Sequence, residues 1–237
     1  MIYSAFAHYY DIYAQDYEYS LWFDYLKELS GIKNFAQKRV LDLGCGTGTL
    51  LLRFAREGAL GTGVDRSEEM LAFADEKLFE NRKQARLIHG DIAAFRANEQ
   101  FDLVYSTFDT VNYLDKSGFE QMLGNISSML AVGGLFTFDL LNPEYFALDC
   151  SDDHFSMERV SFDFHRSLGE GTLCTEVIIQ SPSERKTERH VQFFLEEEFI
   201  KEAARRQGMA VDFIWDIFEK TRSTAPADKL QYGLRKH

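Results

Sequence analysis

Between residues 36 and 140, short apolar runs alternate with longer segments whose apolar positions recur every three or four residues. The apolar runs are typical of buried β-strands, and the segments between them are typical of amphipathic helices. Five strands are predicted, in the stretches KRVLDLG, LGTGVD, ARLIHGD, FDLVYST and LFTFDL. Strict alternation of strand and helix predicts an α/β, doubly wound and mostly parallel sheet with helices on both faces.

The predicted helices have recognisable ends. The stretch EYSLWFDYLKELS has apolar residues at helical spacing and is followed by Gly31 as a terminator. Ser67 is a predicted N-cap for SEEMLAFADEKLF. Ser117 and Glu120 form a capping-box pattern ahead of another helix. Helices with these signals are expected to be stable enough to position the loops between them.

After about residue 145 the pattern changes to strict alternation of apolar and polar residues. Val160, Phe162 and Phe164 alternate with polar residues, and the run 169–171 (Gly-Glu-Gly) supplies a turn. A second alternating run, ERHVQFFL, follows. These features predict an antiparallel β insertion after the fifth strand. The chain then continues with a helix closed by Gly208 and two final strands.

The chain of 237 residues has 45% hydrophobic residues and no stretch typical of a linker. A single domain is therefore predicted. We divide it into an N-terminal helical lid (residues 1–35), a core (36–145), the insertion (146–195), and a C-terminal helix with the last strands (196–237).

The net charge of −12 and the scattered basic residues argue against a nucleic-acid partner. The sequence shows neither a secretion signal nor an apolar run of membrane-spanning length. Cys45, Cys150 and Cys174 are widely spaced and lack CxxC spacing, so neither disulfides nor a metal site is expected. A cytoplasmic protein without a membrane partner is predicted.

The stretch VLDLGCGTG carries the candidate chemistry. Gly44, Gly46 and Gly48 directly follow the first predicted strand, which contains Asp42. Dinucleotide-binding folds use G-x-G-x-x-G, whereas here Thr49 stands where the last glycine of that pattern belongs. A dehydrogenase is therefore a distant alternative. A loop of bare backbone beside a carboxylate suggests that a ligand approaches the main chain closely.

Further acids follow at regular points along the sheet. Asp65 ends the second predicted strand and Asp91 the third. The carboxyl ends of parallel strands meet at one edge of the sheet, where such folds bind ligands. The stretches VLDLGCGTG, GTGVDRSEEML, HGDI, FDLVYSTFDTVNYL and VGGLFTFDL together resemble the class I S-adenosylmethionine-dependent methyltransferases.

The stretches FAHYYDIY and ERHVQFFLEEEFIKEAARRQGM extend this resemblance towards the small-molecule branch. That branch includes sugar-amine and glycine-type N-methyltransferases and many uncharacterised bacterial members. The resemblance implies a Rossmann-like, seven-stranded sheet with the insertion after strand five. It implies S-adenosyl-L-methionine as the cofactor and a small-molecule methyl acceptor as the partner.

The resemblance also implies a cofactor site. Asp42 would serve the ammonium, and Asp65 would accept hydrogen bonds from both ribose hydroxyls. Gly44 and Gly46 would let the main chain approach the methionine portion, with Cys45 between them as a small buried residue. Arg66, Met70, Asp91 and Ile92 are the expected adenine contacts. Ser106 and Phe108 are expected to form the pocket wall. Tyr10 is the expected lid residue.

The loop STFDTVNYL follows the fourth strand, where this fold presents its acceptor. Asp109 and Tyr113 are the predicted catalytic residues, and Asn112 is a further candidate for substrate contact. In the sugar-amine enzymes that this chain resembles, the residue at the position of Tyr113 looks to be histidine. Whether this chain uses the same acceptor therefore stays open. His190 is interpreted as a surface strand residue more readily than as a base.

Several alternatives remain at this point. A protein or tRNA methyltransferase on the same fold would explain the same motifs. A non-catalytic S-adenosylmethionine-binding regulator would be marked by decay of the glycine loop or the acids, which this sequence does not show. The sequence leaves open whether nitrogen, oxygen or carbon is methylated and whether a general base is used. The insertion is expected to form a roof over the sheet or the surface of a homodimer.

Overall fold

The computed structural model of the chain describes residues 19–157 and 159–236. Within them the chain forms eleven strands: β1 (Arg39–Leu43), β2 (Leu60–Asp65), β3 (Arg86–His89), β4 (Phe101–Ser106), β5 (Leu130–Leu141), β6 (Asp153–Met157), β7 (Val160–Gly169), β8 (Thr172–Gln180), β9 (Arg185–Phe193), β10 (Met209–Asp216) and β11 (Lys229–Lys236). Tyr10 lies outside the described residues.

The helices of the same ranges are α1 (Tyr19–Ser30), α2 (Thr49–Arg56), α3 (Glu68–Glu80), α4 (Lys116–Met129), α5 (Pro143–Leu148) and α6 (Glu197–Arg206). A single 3₁₀ turn, Thr110–Tyr113, joins β4 to α4. None of these described helices is long and apolar enough to span a membrane.

Seven strands form the main sheet, in the order β10-β11-β5-β4-β1-β2-β3. The five strands β1 to β5 are parallel to one another, and β11 pairs antiparallel with both β5 and β10. The predicted α/β fold is confirmed, including the mostly parallel seven-stranded sheet. The strand order reverses at β1, because β2 lies on one side of it and β4 on the other.

Alternate residues of the central strands face opposite layers of helices, as the two-residue period of a strand requires. Val40 and Leu103 belong to a cluster with apolar residues of α1 and α2. Leu41 and Val104 belong to a second cluster with residues of α4 and α6. The sheet is therefore buried on both faces, which leaves its strand ends as the place for a site.

Local signals explain where two helices begin. The Ser67 side chain accepts a hydrogen bond from the Met70 N–H at 3.2 Å, so the predicted N-cap of α3 is confirmed. The predicted capping box at Ser117 is wrong. Helix α4 begins earlier, and the Asp115 carboxylate accepts from the Gly118 N–H at 2.8 Å. Asp115 has extended backbone angles and reaches the third helical N–H, which makes it the effective cap.

The insertion after β5 is a four-stranded antiparallel sheet in the order β6-β7-β8-β9. The predicted turn at 169–171 joins β7 to β8. The apolar face of the insertion sheet contains Phe162, Phe164, Val177 and Ile179. The sheet returns the chain to the core through β9, whose last residues lie next to the 3₁₀ turn.

Candidate active site

A cleft of about 790 Å³, including its open mouth, lies at the carboxyl ends of the parallel strands. A smaller cavity of about 280 Å³ adjoins it, and both are lined by Gly44, Gly46, Thr107 and Phe108. The two cavities meet beside β1, where the strand order reverses. This is the position at which open α/β sheets bind ligands.

The glycine turn after β1 has a backbone that only glycine adopts easily. The φ angles of Gly44, Gly46 and Gly48 are 80°, 50° and 73°. A Cβ at Gly44 would lie 2.4 Å from Thr110 Cγ2, whereas a Cβ at Gly46 would meet nothing within 4 Å. Gly44 is therefore required by packing, while Gly46 leaves open space inside the cleft. That space is a cradle that a side chain would partly fill.

Asp65 connects the end of β2 to the glycine turn. Its Oδ2 accepts from the Gly46 N–H at 2.8 Å and its Oδ1 accepts from the Ser67 N–H at 2.9 Å. Burial raises the pKa of this carboxyl, and the two backbone hydrogen bonds oppose that rise. The carboxylate lines the cleft in a fixed orientation, with remaining lone pairs for a ligand's hydroxyl groups.

Asp42 lines the smaller cavity and is 2% exposed. The Tyr105 hydroxyl donates to its Oδ2 at 2.8 Å. Burial raises the pKa of Asp42 to about 8, against the opposing effect of that hydrogen bond. A bound cation would favour the ionised form. The site is therefore suited to an ammonium group.

Cys45 also lines the smaller cavity. Burial raises the pKa of its thiol well above the usual range, so the thiol stays protonated at neutral pH. A Cβ at Gly63 would lie 2.8 Å from the Cys45 sulfur. The geometry fits a small side chain that fills space beneath the turn, not a nucleophile.

A wider part of the cleft is lined by Arg66, Met70, Asp91 and Ile92. Arg66 Nη2 donates to Asp91 Oδ2 at 2.5 Å, and the Ala93 N–H donates to Asp91 Oδ1 at 2.8 Å. The structure thus brings these four predicted residues together. The Arg66 side chain is 59% exposed, so it is free of the steric restraint that burial imposes and can follow a flat ligand.

Two predicted pocket residues after β4 have different environments. Phe108 lines both cavities, and its ring lies 5.5 Å from that of Tyr19 and 5.3 Å from that of Trp22. Ser106 is 1% exposed, and its hydroxyl donates to the Leu43 carbonyl at 2.7 Å. Thr107, and not Ser106, lines the cleft. The Ser106 side chain therefore stabilises the strand pair.

Asp109 was predicted as catalytic, but it does not line either cavity. Its carboxylate accepts from Lys229 Nζ at 2.5 Å and also from Gln192 Nε2. Its backbone has a φ of 52°, and its N–H donates to Asp139 Oδ2 at 2.9 Å. The ion pair between Asp109 and Lys229 holds the carboxylate away from the cleft, which explains the difference from the predicted position.

Asn112 is fully buried and has a structural position. Its Nδ2 donates to the Phe193 carbonyl at 2.8 Å, and its Oδ1 accepts from the Leu141 N–H at 3.0 Å. The side chain therefore joins the 3₁₀ turn to β9 and to the end of β5. It fixes the loop whose next residue reaches the cleft.

Tyr113 lines the cleft, and its hydroxyl lies 2.8 Å from His190 Nδ1. His190 is 5% exposed, so its interpretation as a surface strand residue is wrong. His190 Nε2 lies 3.5 Å from Glu188 Oε2. The alternation of β9 could not have revealed this, because Glu188, His190 and Gln192 form an all-polar strand face, which predicts exposure to solvent.

Among the described residues, no cluster of His, Cys, Asp and Glu side chains could hold a metal ion. The cleft is bounded by apolar residues at Met70, Phe108 and Leu114 and by carboxylates at Asp65 and Asp91. An arrangement of this kind can exclude water from a bound ligand while fixing its polar ends.

Comparisons with known proteins point to one family. Residues 40–134 match a family model described as a methyltransferase domain. A putative methyltransferase of Geobacillus sp. (strain WCH70) is 36% identical over 142 residues, which are 59% of this chain and 58% of that protein. The dTDP-3-amino-3,4,6-trideoxy-alpha-D-glucopyranose N,N-dimethyltransferase of Streptomyces venezuelae is 37% identical over 97 residues, covering 38% of this chain and 39% of that protein.

The matched segments therefore cover less than two thirds of these relatives. A solved structure of an S-adenosylmethionine-dependent methyltransferase from Clostridium acetobutylicum ATCC 824 has a TM-score of 0.86. It is 24% identical, and the match covers 100% of this chain and 99% of that one, which shows a shared fold. Over residues 40–134 the chain is therefore similar to methyltransferase domains, and its fold is that of a solved S-adenosylmethionine-dependent methyltransferase.

Proposed function

We propose that the chain transfers a methyl group from S-adenosylmethionine to a small molecule that enters the cleft beside Tyr113. The observation that carries this proposal is the arrangement of backbone and carboxylates at the carboxyl ends of β1 and β2. There the bare Gly46 turn is bonded to the Asp65 carboxylate, and both line one cleft. Buried Asp42 lines the adjoining cavity.

The residues present fit the cofactor. Asp42 would receive the ammonium group, because a cation offsets the cost of ionising a buried carboxyl. Asp65 would accept hydrogen bonds from the ribose hydroxyls. Arg66, Met70 and Ile92 would enclose the adenine, and Asp91 would accept from its amino group. When bound, the cofactor supplies a methyl group on a positively charged sulfur, which is an excellent leaving group.

The protein's own contribution is to position the acceptor and to exclude water. Met70, Phe108 and Leu114 form apolar walls of the cleft. Such walls favour an acceptor stripped of water and held in one orientation. Holding two reactants in the productive geometry can lower a barrier by about 7–11 kcal/mol. The loop at Thr110–Tyr113 is anchored by buried Asn112, so the acceptor side is rigid.

A small acceptor is favoured by the shape of the site. The cleft is a concave site with apolar walls and a few convergent polar groups, which is the usual form of a small-molecule site. The Streptomyces venezuelae relative is named for an N,N-dimethylation of a nucleotide-linked amino sugar. We therefore infer an acceptor with an amino or hydroxyl group on a compact organic framework. A protein or tRNA acceptor would require a wider surface.

The test is a screen with S-adenosylmethionine that carries an isotopically labelled methyl group. The purified protein is incubated with a fractionated bacterial extract, and label is measured in small molecules, protein and tRNA. We expect label in a small molecule, with the Asp65→Ala variant as a control of reduced activity. Label confined to protein or tRNA would instead support the alternative acceptors. Cofactor binding without label in any fraction would indicate a regulator.

A further inference from the structure

Strand β9 turns one polar face towards the loop that borders the cleft. Glu188, His190 and Gln192 occupy alternate positions of this strand and share that face. Gln192 bonds to Asp109, and His190 bonds to Tyr113. A polar face directed into the molecule is unusual for a strand of the insertion, because burying polar groups contributes little to the stability of a fold. This calls for a chemical explanation.

The hydrogen bond between Tyr113 and His190 has a direction that the surroundings favour. The Tyr113 hydroxyl lies 2.8 Å from His190 Nδ1, and His190 Nε2 lies 3.5 Å from Glu188 Oε2. A neutral imidazole carries its proton on one nitrogen only. A proton on Nε2 is stabilised by the Glu188 carboxylate, so Nδ1 is left as an acceptor for the Tyr113 O–H.

Burial strengthens this arrangement. The side chains of His190 and Glu188 are only 6% and 8% exposed. Electrostatic interactions between such groups are screened less by water than those at the surface. A positive charge that formed on His190 would therefore be stabilised by Glu188. Tyr113 meanwhile lines the cleft, where the proposed acceptor would enter.

We propose that Tyr113, His190 and Glu188 form a proton relay that removes a proton from the methyl acceptor, an inference that rests on the proposed function. The acceptor N–H or O–H donates its proton to the Tyr113 oxygen as the Tyr113 proton moves to His190 Nδ1. The acceptor lone pair forms the new bond to the methyl carbon, and the carbon–sulfur bonding pair stays on sulfur. Glu188 stabilises the resulting imidazolium, which later returns its proton to water.

The relay defines the acceptor more closely. It serves a group that must lose a proton for the transfer, such as an ammonium or a hydroxyl. An acceptor already lacking such a proton would gain nothing from it. Tyr113 is the catalytic residue of this relay because it borders the cleft. His190 and Glu188 act through Tyr113 and are positioning residues.

The rival explanation is purely structural, with the same contacts fastening the insertion to the loop. The two explanations differ in pH dependence. A structural role predicts variants with lower stability and unchanged pH profiles. A relay predicts variants that bind the cofactor normally, turn over slowly near neutral pH and recover at high pH, where the acceptor arrives already deprotonated.

The experiment compares Tyr113→Phe, His190→Gln and Glu188→Gln with His165→Gln. His165 is an exposed histidine of the same insertion, so its variant controls for the loss of a histidine. Initial rates are measured from pH 6 to 10 with labelled S-adenosylmethionine and the low-molecular-mass fraction of a bacterial extract. Binding of S-adenosylhomocysteine is measured by calorimetry. We expect the initial rate of the Phe variant at pH 7 to fall by about 10²-fold or more, with partial recovery by pH 10 and unchanged binding.

A spectroscopic arm tests the direction of the hydrogen bond without any acceptor. In ¹⁵N NMR spectra we expect the His190 proton on Nε2 in the wild type, and a changed Nδ1 shift in Tyr113→Phe. A proton on Nδ1 overturns the relay. Rates of all three variants within twofold of the wild type at every pH also overturn it. If the wild type itself labels no compound, the proposed function fails and the relay fails with it.

Discussion

At the scale of single residues, the buried carboxyl of Asp42 is the group that we propose receives the ammonium of the cofactor. Burial raises the pKa of this carboxyl to about 8, so at pH 7 most molecules carry it protonated. An ammonium group binds better to the ionised form. Cofactor binding is therefore expected to release close to one proton at pH 7, and affinity is expected to rise as pH increases from 6 to 8.

This release can be measured by calorimetry in two buffers with different ionisation enthalpies. The observed binding enthalpy at pH 7 should differ between the buffers in proportion to the proton released. The Asp42→Asn variant, which has no proton to release, should bind more weakly and lose the buffer dependence. Equal enthalpies for the wild type in both buffers would contradict the assignment of Asp42 to the ammonium.

Asp65 gives a second prediction. The Asp65→Ala variant should lose about 1.5–3 kcal/mol of cofactor binding free energy, the range for hydrogen bonds to a charged group. The change also frees the Gly46 N–H, so part of the loss reflects a looser turn. Calorimetry with Asp75→Ala, an exposed acid on α3, provides the control. Unchanged affinity in Asp65→Ala would exclude the ribose role.

Some site residues could be predicted from the sequence and others could not. Gly46 and Asp65 lie in a local motif whose spacing implies the cleft. Asp109 is also local to a loop, but its partner Lys229 is 120 positions away. His190 lies 77 positions from Tyr113. Periodicity reports which residues share a face, and it carries no information about which distant face lies opposite.

At the scale of elements, the glycine turn separates packing from ligand space. Gly44→Ala places a Cβ 2.4 Å from Thr110 Cγ2, while Gly46→Ala meets nothing within 4 Å. Both positions have positive φ, so a backbone cost of about 1–2 kcal/mol is common to the two variants. We expect Gly44→Ala to be clearly less stable than Gly46→Ala, because only it adds a clash.

For cofactor binding we expect the opposite order, with the larger effect in Gly46→Ala. Gly46→Ala fills space in the cleft, so it should weaken cofactor binding by more than its loss of stability explains. Urea unfolding and calorimetry on the same preparations measure both quantities. A Gly46→Ala protein with wild-type affinity would show that no ligand approaches this part of the main chain.

Element prediction succeeded for the buried strands of the parallel sheet and missed two short segments, α5 and β6. The apolar runs of β1 and β4 predicted those strands, since buried strands of a parallel sheet are almost continuously apolar. Helix α5 has six residues and strand β6 has five, with the sequence DHFSM. Strand β6 exists because β7 supplies its hydrogen-bonding partners.

At the scale of the whole molecule, buried polar groups connect distant segments behind the loop that borders the cleft. Asp139 on β5 is fully buried and lies 3.5 Å from Lys229 on β11. Gln231 lies directly opposite Asp139 in the strand register. Within the described part of the chain, Asp139 Oδ1 and Gln231 Oε1 are buried oxygens without a hydrogen-bond donor. Side chains directly opposite in an antiparallel strand pair are neighbours, so we expect a protonated Asp139 to supply the missing donor.

Burial raises the pKa of Asp139 to about 6, with Lys229 acting in the opposite direction. Because the folded pKa lies above the unfolded value of 3.8, this group's contribution to stability is fully present below pH 3.8 and is lost as pH rises through about 6. The protonated acid can donate to Gln231, whereas the ionised acid cannot.

The Asp139→Asn variant should therefore be more stable than the wild type at pH 7.5. Its amide oxygen can still accept from the Asp109 N–H, and its NH₂ group can donate to Gln231 Oε1. Lys229 keeps its contact with Asp109. We expect a gain of about 1–3 kcal/mol in the free energy of unfolding at pH 7.5, with little difference at pH 4, where the wild-type acid is protonated. Urea unfolding at both pH values measures this. An equal gain at both would show that repacking is responsible, and a loss at pH 7.5 would show that the ionised carboxylate is needed beside Lys229.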